Sequence, residues 1–283
     1  MDAMKRGTLP LLLAITAWSG VPEASASLRY MAGLHQSSWS VSGSPLSCTM
    51  RHEIPLFGEA VFSRRAGEAL AFTLESRRPA WQPATVRLAS IPPAWMHDAE
   101  SLNLGWFTLS EGARSLQFGQ TMSRRLLQEL EQGRFAAFTY PQSASEAPAA
   151  VILSAVNLRP ALPEFLQCLE AVLPYGFDKV RESRLFFGFD SDRLTSEARR
   201  RLEQVARYLK ADERIRQVRL DGYADNVGYR RYNAALSRRR AERVRDFLVT
   251  QGVAAERIVI KVHGEQRSKN PASQRRVEVT LLR

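Results

Sequence analysis

The last hundred residues alternate two hydrophobic periods in an order that few architectures accommodate. Leu185, Phe187 and Phe189 recur at every second position and mark a strand. Thr195 then caps a helix whose Leu202, Val205, Ala206 and Leu209 follow the i, i+3, i+4, i+7 spacing. Val218 and Leu220 alternate into a strand before Gly222, and a long helix is expected from about Tyr229 to Gln251, stopped by Gly252. Ile258, Ile260 and Val262 mark another strand, and Val277, Val279 and Leu281 the last. This β-α-β-α-β-β order implies a sheet layered against helices, because each element must bury one apolar face.

The same segment carries the candidate chemistry. It reads GYADNVG, then NAALSRRRAERV, then QRRVEV, and sets Asp225 in a Gly-flanked loop ahead of the long helix. At 100° per residue, Asn233, Ser237 and Arg240 fall within about 60° of one another. Val244 and Phe247 continue that stripe, so Arg240 points toward the body of the domain while Arg238, Arg239 and Arg245 form a solvated face. An inward guanidinium needs an acid or a ligand, since an unpaired buried charge costs several kcal/mol. Asp225 is the nearest acid in sequence. Two readings stand: a structural ion pair that braces the loop, or a site gripping a small zwitterion, the acid taking its ammonium and the guanidinium its carboxylate.

Charge and chain ends narrow the partner. Residues 181–283 hold 25 Lys plus Arg against 14 Asp plus Glu, whereas residues 1–180 balance at 15 against 15. The whole excess of +11 therefore lies in the C-terminal third and calls for an anionic partner. Nucleic acid would suit a cytoplasmic chain. The N-terminus argues for export instead: Lys5 and Arg6 precede an apolar run from Leu9 to Ala17, and Ala24-Ser25-Ala26 offers a cleavage site before Ser27. That run is shorter than the roughly 20 residues of a membrane span; a buried N-terminal helix is the other reading. Export makes an envelope polymer the better partner and sets the mature chain outside the cytoplasm.

With residues 1–26 removed, about 257 residues remain, enough for two domains, 27–180 and 181–283. The first is expected to be β-rich, with strands at Glu59–Ser63, Leu70–Ser76, Thr85–Ser90, Leu104–Leu109, Phe135–Tyr140 and Val151–Val156, punctuated by Pro, Gly and Ser. One helix is expected from a Thr121 cap to Gly133, and a second opening at Pro163 and stopped by Pro174-Tyr175-Gly176. The fold class is thus α+β. The two cysteines, Cys48 and Cys168, both fall in this domain; an oxidising compartment favours a disulfide, and buried free thiols are the alternative.

Catalytic readings find little. The four histidines, His35, His52, His97 and His263, show no metal-ligand spacing, and no cofactor motif is present. Asp190 and Asp192 stand two apart in sequence, a poor arrangement for a glycosidase pair. A non-enzymatic chain is expected.

The segments FGFDSDRL, GYADNVG, NAALSRRRA, GVAAERI, VHGE and QRRVEV together resemble the OmpA-like peptidoglycan-binding domains of outer-membrane anchors and flagellar stator proteins. The resemblance covers residues 184–283. It implies that Asp225 and Arg240 hold the diaminopimelate of the peptide stem, that Asn233 and Ser237 shape the pocket, and that Arg276 belongs to its closing motif. Gln274, Ala224 and Tyr223 depart from the residues common there. In the N-terminal part, WSVSGSPLSCTMRHEIPLFGEAVF and the late cysteine resemble the MotY family of periplasmic flagellar motor proteins. What that implies is a T-ring component whose N-domain meets the basal body, a MotX-like partner and the stator complex, using any exposed tryptophan among Trp39, Trp81, Trp95 and Trp106. A general envelope-integrity anchor without a motor role is the alternative.

Overall fold

The computed structural model of the protein describes residues 28–79, 83–141, 148–265 and 271–283. The expected export signal at residues 1–26 and the anchor candidate Trp81 lie outside the described residues. Two five-stranded sheets build the N-terminal part. One runs in the order β1 (Arg29–Met31), β10 (Ala149–Leu153), β9 (Phe135–Tyr140), β6 (Ala84–Ile91), β7 (Leu102–Leu109). The other is a meander of β2 (Trp39–Ser44), β3 (Ser47–Ile54), β4 (Gly58–Arg65) and β5 (Ala71–Ser76), extended by β8 (Ser115–Phe118). Their inner faces share one core: Phe72 of the meander stacks on Phe138 of the other sheet with centroids 6.0 Å apart. Helices α1 (Gln120–Glu131) and α2 (Leu158–Ala171) add Leu126, Leu130 and Phe165 to that core.

Several expectations are corrected. Helix α1 has Gly119 at its N-cap, without a side-chain cap, and Thr121 lies inside it. Helix α2 begins at Leu158, after Asn157 in a left-handed turn, so Pro163 sits within the helix rather than at its start. A proline there leaves the carbonyl four residues earlier without its helical donor, yet burial of Leu158, Ala161, Leu162 and Phe165 holds the helix. Strands β1, β2, β3 and β8 lie outside the expected set. The first strand of the C-terminal part stops at Phe186, and Phe189 is exposed.

Cys48 and Cys168 form a disulfide that joins β3 to α2 across 120 residues. Gly43, opposite Cys48 in the β2–β3 register, makes room for it: a Cβ at that position would lie 2.2 Å from the Cys168 sulfur.

The C-terminal part has the expected order: β11 (Glu182–Phe186), α4 (Ser196–Ala211), β12 (Gln217–Ala224), α5 (Arg230–Thr250), β13 (Ile258–Glu265) and β14 (Arg276–Leu282), preceded by the short α3 (Phe177–Arg181). The sheet runs β11-β14-β12-β13, with β12 and β13 parallel and the other pairs antiparallel. Thr195 caps α4 as expected, its hydroxyl accepting from Ala198 N at 3.1 Å. Val277, Val279 and Leu281 meet Leu202, Val205, Val244 and Leu248 in a second core. Buried Asp212 clips the C-terminus to this core through Arg214 and Arg283.

A short wedge joins the two cores. Leu46, Ala66, Leu173 and Tyr175 pack against the second core from the N-terminal side. Backbone bonds tie the wedge together: Leu173 N to Pro45 O, Gly67 N to Leu173 O and Ala66 N to Leu46 O. The expected boundary between 180 and 181 falls at the end of α3, whose Val180 is buried in the second core.

Candidate functional site

The site forms where the loop after β12 meets the first turns of α5. Helix α5 lies close on β12 because residue 222 is glycine; a Cβ there would stand 2.5 Å from the Ser237 carbonyl oxygen. That contact drives the stripe Asn233, Ser237 and Arg240 into the interior, where they are 2%, 0% and 0% exposed. The Ser237 hydroxyl donates to Ala234 O, an ordinary intrahelical bond.

Arg240 is the largest fully buried side chain. Its Nε donates to Ser191 O at 2.8 Å, Nη2 to Gly188 O at 3.0 Å and Nη1 to Tyr223 O at 3.4 Å. The guanidinium lies 5.4 Å from the Phe187 ring centroid. The turn after β11 is thereby wrapped around a cation through its carbonyls. Burial pushes the Arg240 pKa down, the Asp225 carboxylate pushes it back up, and the nearby charge of Arg275 lowers it again.

Asp225 is 5% exposed. Its direct ion-pair partner is Arg275, with Nη1 3.1 Å from Oδ2, while Val227 N donates to Oδ1 at 3.4 Å. The acid expected to pair with Arg240 therefore neighbours it but contacts another guanidinium. Arg275 is missing from the expected set, and a signal for it existed. Side chains on a strand alternate faces, so of two adjacent arginines ahead of buried Val277, Arg275 shares the face of Val277 and Arg276 the face of Glu278. Arg276 indeed lies 4.1 Å from the Tyr223 ring centroid, bonds Glu278 at 2.8 Å and the Gln274 side chain at 2.6 Å, and does not join the Asp225 cluster.

Two buried donors at the site, Asn233 Nδ2 and Arg275 Nε, find no hydrogen-bond acceptor among the described residues. Aromatic and apolar side chains stand exposed in the adjoining loops: Phe189 at 67%, Val227 at 52% and Tyr229 at 85%. Tyr232 bonds Asp190, and Asp192 pairs with Arg243, so both carboxylates of the discounted glycosidase pair are engaged. Among the described residues no group of His, Cys, Asp and Glu is arranged to hold a metal ion. A nearly buried carboxylate beside two guanidinia, with unsatisfied donors around it, can accept one ammonium and bind one carboxylate.

Elsewhere, Trp39 is buried against His52, with ring centroids 4.7 Å apart, whereas Trp95 and Trp106 are 56% and 62% exposed. Trp106 lies on β7, the edge strand of its sheet.

Comparison with known proteins covers nearly all of the described chain. Residues 30–174 match the family model described as the MotY N-terminal domain, and residues 186–279 match the OmpA family. The sodium-type flagellar protein MotY of Vibrio parahaemolyticus is 34% identical over 246 residues, which cover 84% of this chain and 83% of that protein. The peptidoglycan-associated lipoprotein of Mesorhizobium japonicum is 39% identical over 84 residues, 30% of this chain and 49% of that protein, so this chain spans about half of it. Among solved structures, the peptidoglycan-associated lipoprotein from Burkholderia pseudomallei aligns with 27% identity and a TM-score of 0.33, covering 35% of this chain and 89% of that one.

Proposed function

This chain belongs to the MotY family of flagellar motor proteins, and from that premise we propose that it is a T-ring component, with its N-terminal unit on the motor and its C-terminal unit on the cell wall. It is a motor component of the periplasmic envelope, anchored to peptidoglycan through its OmpA-like unit. No described helix is long and apolar enough to cross a membrane. Export through residues 1–26 is part of this reading, as is a division of labour near residue 180.

At the wall, Asp225 receives the ammonium of diaminopimelate, and the positive charge of Arg240 behind it draws the carboxylate. Asn233 and Ser237 form the wall of the pocket, and Arg276 steadies Tyr223 from the other face of the sheet. The observation that carries the reading is the nearly buried Asp225 carboxylate set beside Arg275 and Arg240, on a chain whose N-terminal half is of the MotY type. On the motor side, exposed Trp95, Trp106 and Leu102 supply the kind of anchor that protein contacts use. Their partners in this reading are the basal body, a MotX-like protein and the stator complex. The match to lipoproteins of the wall stops at the C-terminal unit, so an envelope anchor without a motor role leaves the N-terminal unit unused.

The test is co-sedimentation of the full mature protein with isolated sacculi, paired with swimming in soft agar. The parent pellets with sacculi in 0.3 M salt, and Asp225→Ala stays in the supernatant; cells carrying that variant assemble flagella that turn poorly. Equal sedimentation of both proteins would remove the site assignment. Binding that collapses with salt for parent and variant alike would point to a diffuse basic surface. Leaky or misshapen cells that swim normally after deletion of the gene would favour the envelope anchor.

A further inference from the structure

The guanidinium in contact with Asp225 is that of Arg275, whereas Arg240 is sealed in the interior with its donors on three backbone carbonyls. We propose that Arg275 is the specificity-determining residue of this site: it holds the ammonium's place in the empty protein, and by doing so admits zwitterions and rejects simple cations. The inference rests on the peptide-stem reading above and assigns the discrimination to a residue outside the Asp225–Arg240 pair.

Charge balance supplies the discrimination. A bare ammonium that displaces Arg275 from Asp225 leaves that guanidinium, only 21% exposed, without its ion-pair partner and with buried Arg240 nearby. Repulsion between the two guanidinia then opposes binding, because screening is weak in a partly buried site. A ligand with a carboxylate next to its ammonium reverses that balance. Its ammonium takes Asp225, its carboxylate takes the released Arg275, and the number of ion pairs rises instead of staying constant with one charge stranded.

Three further observations fit such an exchange. Arg275 Nε is buried without an acceptor, so the latched state is not the side chain's best-bonded state. Asn233 Nδ2 is a second donor without an acceptor, which a carboxylate oxygen of the ligand can satisfy. The Arg275 guanidinium lies 6.0 Å from the centroid of exposed Phe189, a ring face on which it can rest after leaving Asp225. Arg240, by contrast, cannot swing without breaking two bonds to the β11–α4 turn and one to β12.

Calorimetric titration of the purified mature chain with meso-diaminopimelate and with cadaverine, the same diamine without its carboxylates, tests the proposal. The parent should bind diaminopimelate at least tenfold more tightly than cadaverine. In Arg275→Gln, cadaverine should bind more tightly than it does to the parent and diaminopimelate more weakly, so that the ratio falls at least tenfold. Arg275→Lys keeps the cation and should keep a ratio within about threefold of the parent. Melting curves check that both variants fold. If cadaverine affinity in Arg275→Gln is unchanged, or falls together with that of diaminopimelate, Arg275 is a structural partner of Asp225 and the proposal is overturned while the peptide-stem reading survives. A collapsed ratio in folded Arg275→Lys also overturns it. A parent that binds no diaminopimelate removes the peptide-stem reading itself, and this inference with it.

Discussion

At the scale of the residue, Arg240 is both part of the candidate site and the strut that shapes it. Its three bonds to Gly188, Ser191 and Tyr223 carbonyls hold the turn that walls the pocket. Arg240→Ala should therefore lower stability by about 2–4 kcal/mol in urea unfolding, since it orphans buried carbonyls around a cavity. Arg240→Lys should recover little of this, because one ammonium cannot reproduce the planar fork. Asp225→Asn should lower stability by about 2–4 kcal/mol, since it leaves Arg275 beside Arg240 without its anion. Loss of wall binding in the Asp225 variant is therefore scored only at temperatures where its melting curve shows it folded. His52 makes a separate prediction. Burial holds its pKa below the ordinary value, while its Nδ1 meets Ser38 O at 2.9 Å. A lowered histidine stays neutral when folded and protonates when unfolded, so its contribution is intact above the ordinary value and is lost as pH falls from about 6.5 toward the folded pKa. Unfolding curves between pH 7.5 and 5 should show stability falling, with a shallower fall in His52→Phe. Asp225 and Arg240 were legible because helical spacing and a Gly-flanked loop announce them. Arg275 needed the alternation of a strand to be carried two residues upstream of Val277.

At the scale of the element, the strands with clean alternation were legible and those with polar inward positions were not. Strand β3 buries Cys48, Met50, His52 and Ile54 on one face, and the histidine hides that pattern from a hydrophobicity reading. Helix α2 was misplaced because Pro163 read as a start, when burial of Leu158 already commits the chain to helix. The Glu129 cluster was invisible for another reason: its members come from α1, β6 and the α1–β9 turn. Glu129 is 2% exposed, lies 3.2 Å from Arg134 Nε, and accepts from the Ser90 hydroxyl at 2.6 Å. Glu129→Ala should cost about 3–5 kcal/mol, because it leaves the Arg134 charge without an anion. Gly43 offers a sharper element-scale test. Gly43→Ala drives a methyl into the Cys168 sulfur, so melting temperature should fall and free thiol should become titratable in part of the population.

At the scale of the whole molecule, the α+β class and the order of the C-terminal elements followed from period and punctuation alone. The wedge between the two cores did not, since Leu46, Ala66 and Tyr175 lie in turns and bends, and Leu173, expected on the apolar stripe of the second helix, lies beyond its end at Ala171. Removing the disulfide with Cys48→Ser and Cys168→Ser should lower stability by about 4–5 kcal/mol on the chain-entropy model for its loop, with sacculus binding unchanged once folded. The position of that bond has a mechanical side. On the proposed reading, a molecule held by the wall through one unit and by the motor through the other carries tension, which would enter the N-terminal unit along residues 172–176. Only four residues upstream of Val172, Cys168 is covalently tied to β3, so force passes into the meander without peeling α2 away. Pulled end to end, the oxidised chain cannot pay out the 120-residue loop between its cysteines. Stretching a single molecule before and after reduction should show the difference as roughly 400 Å of added contour length, and a tether that cannot lengthen by that amount keeps its motor in register with the wall.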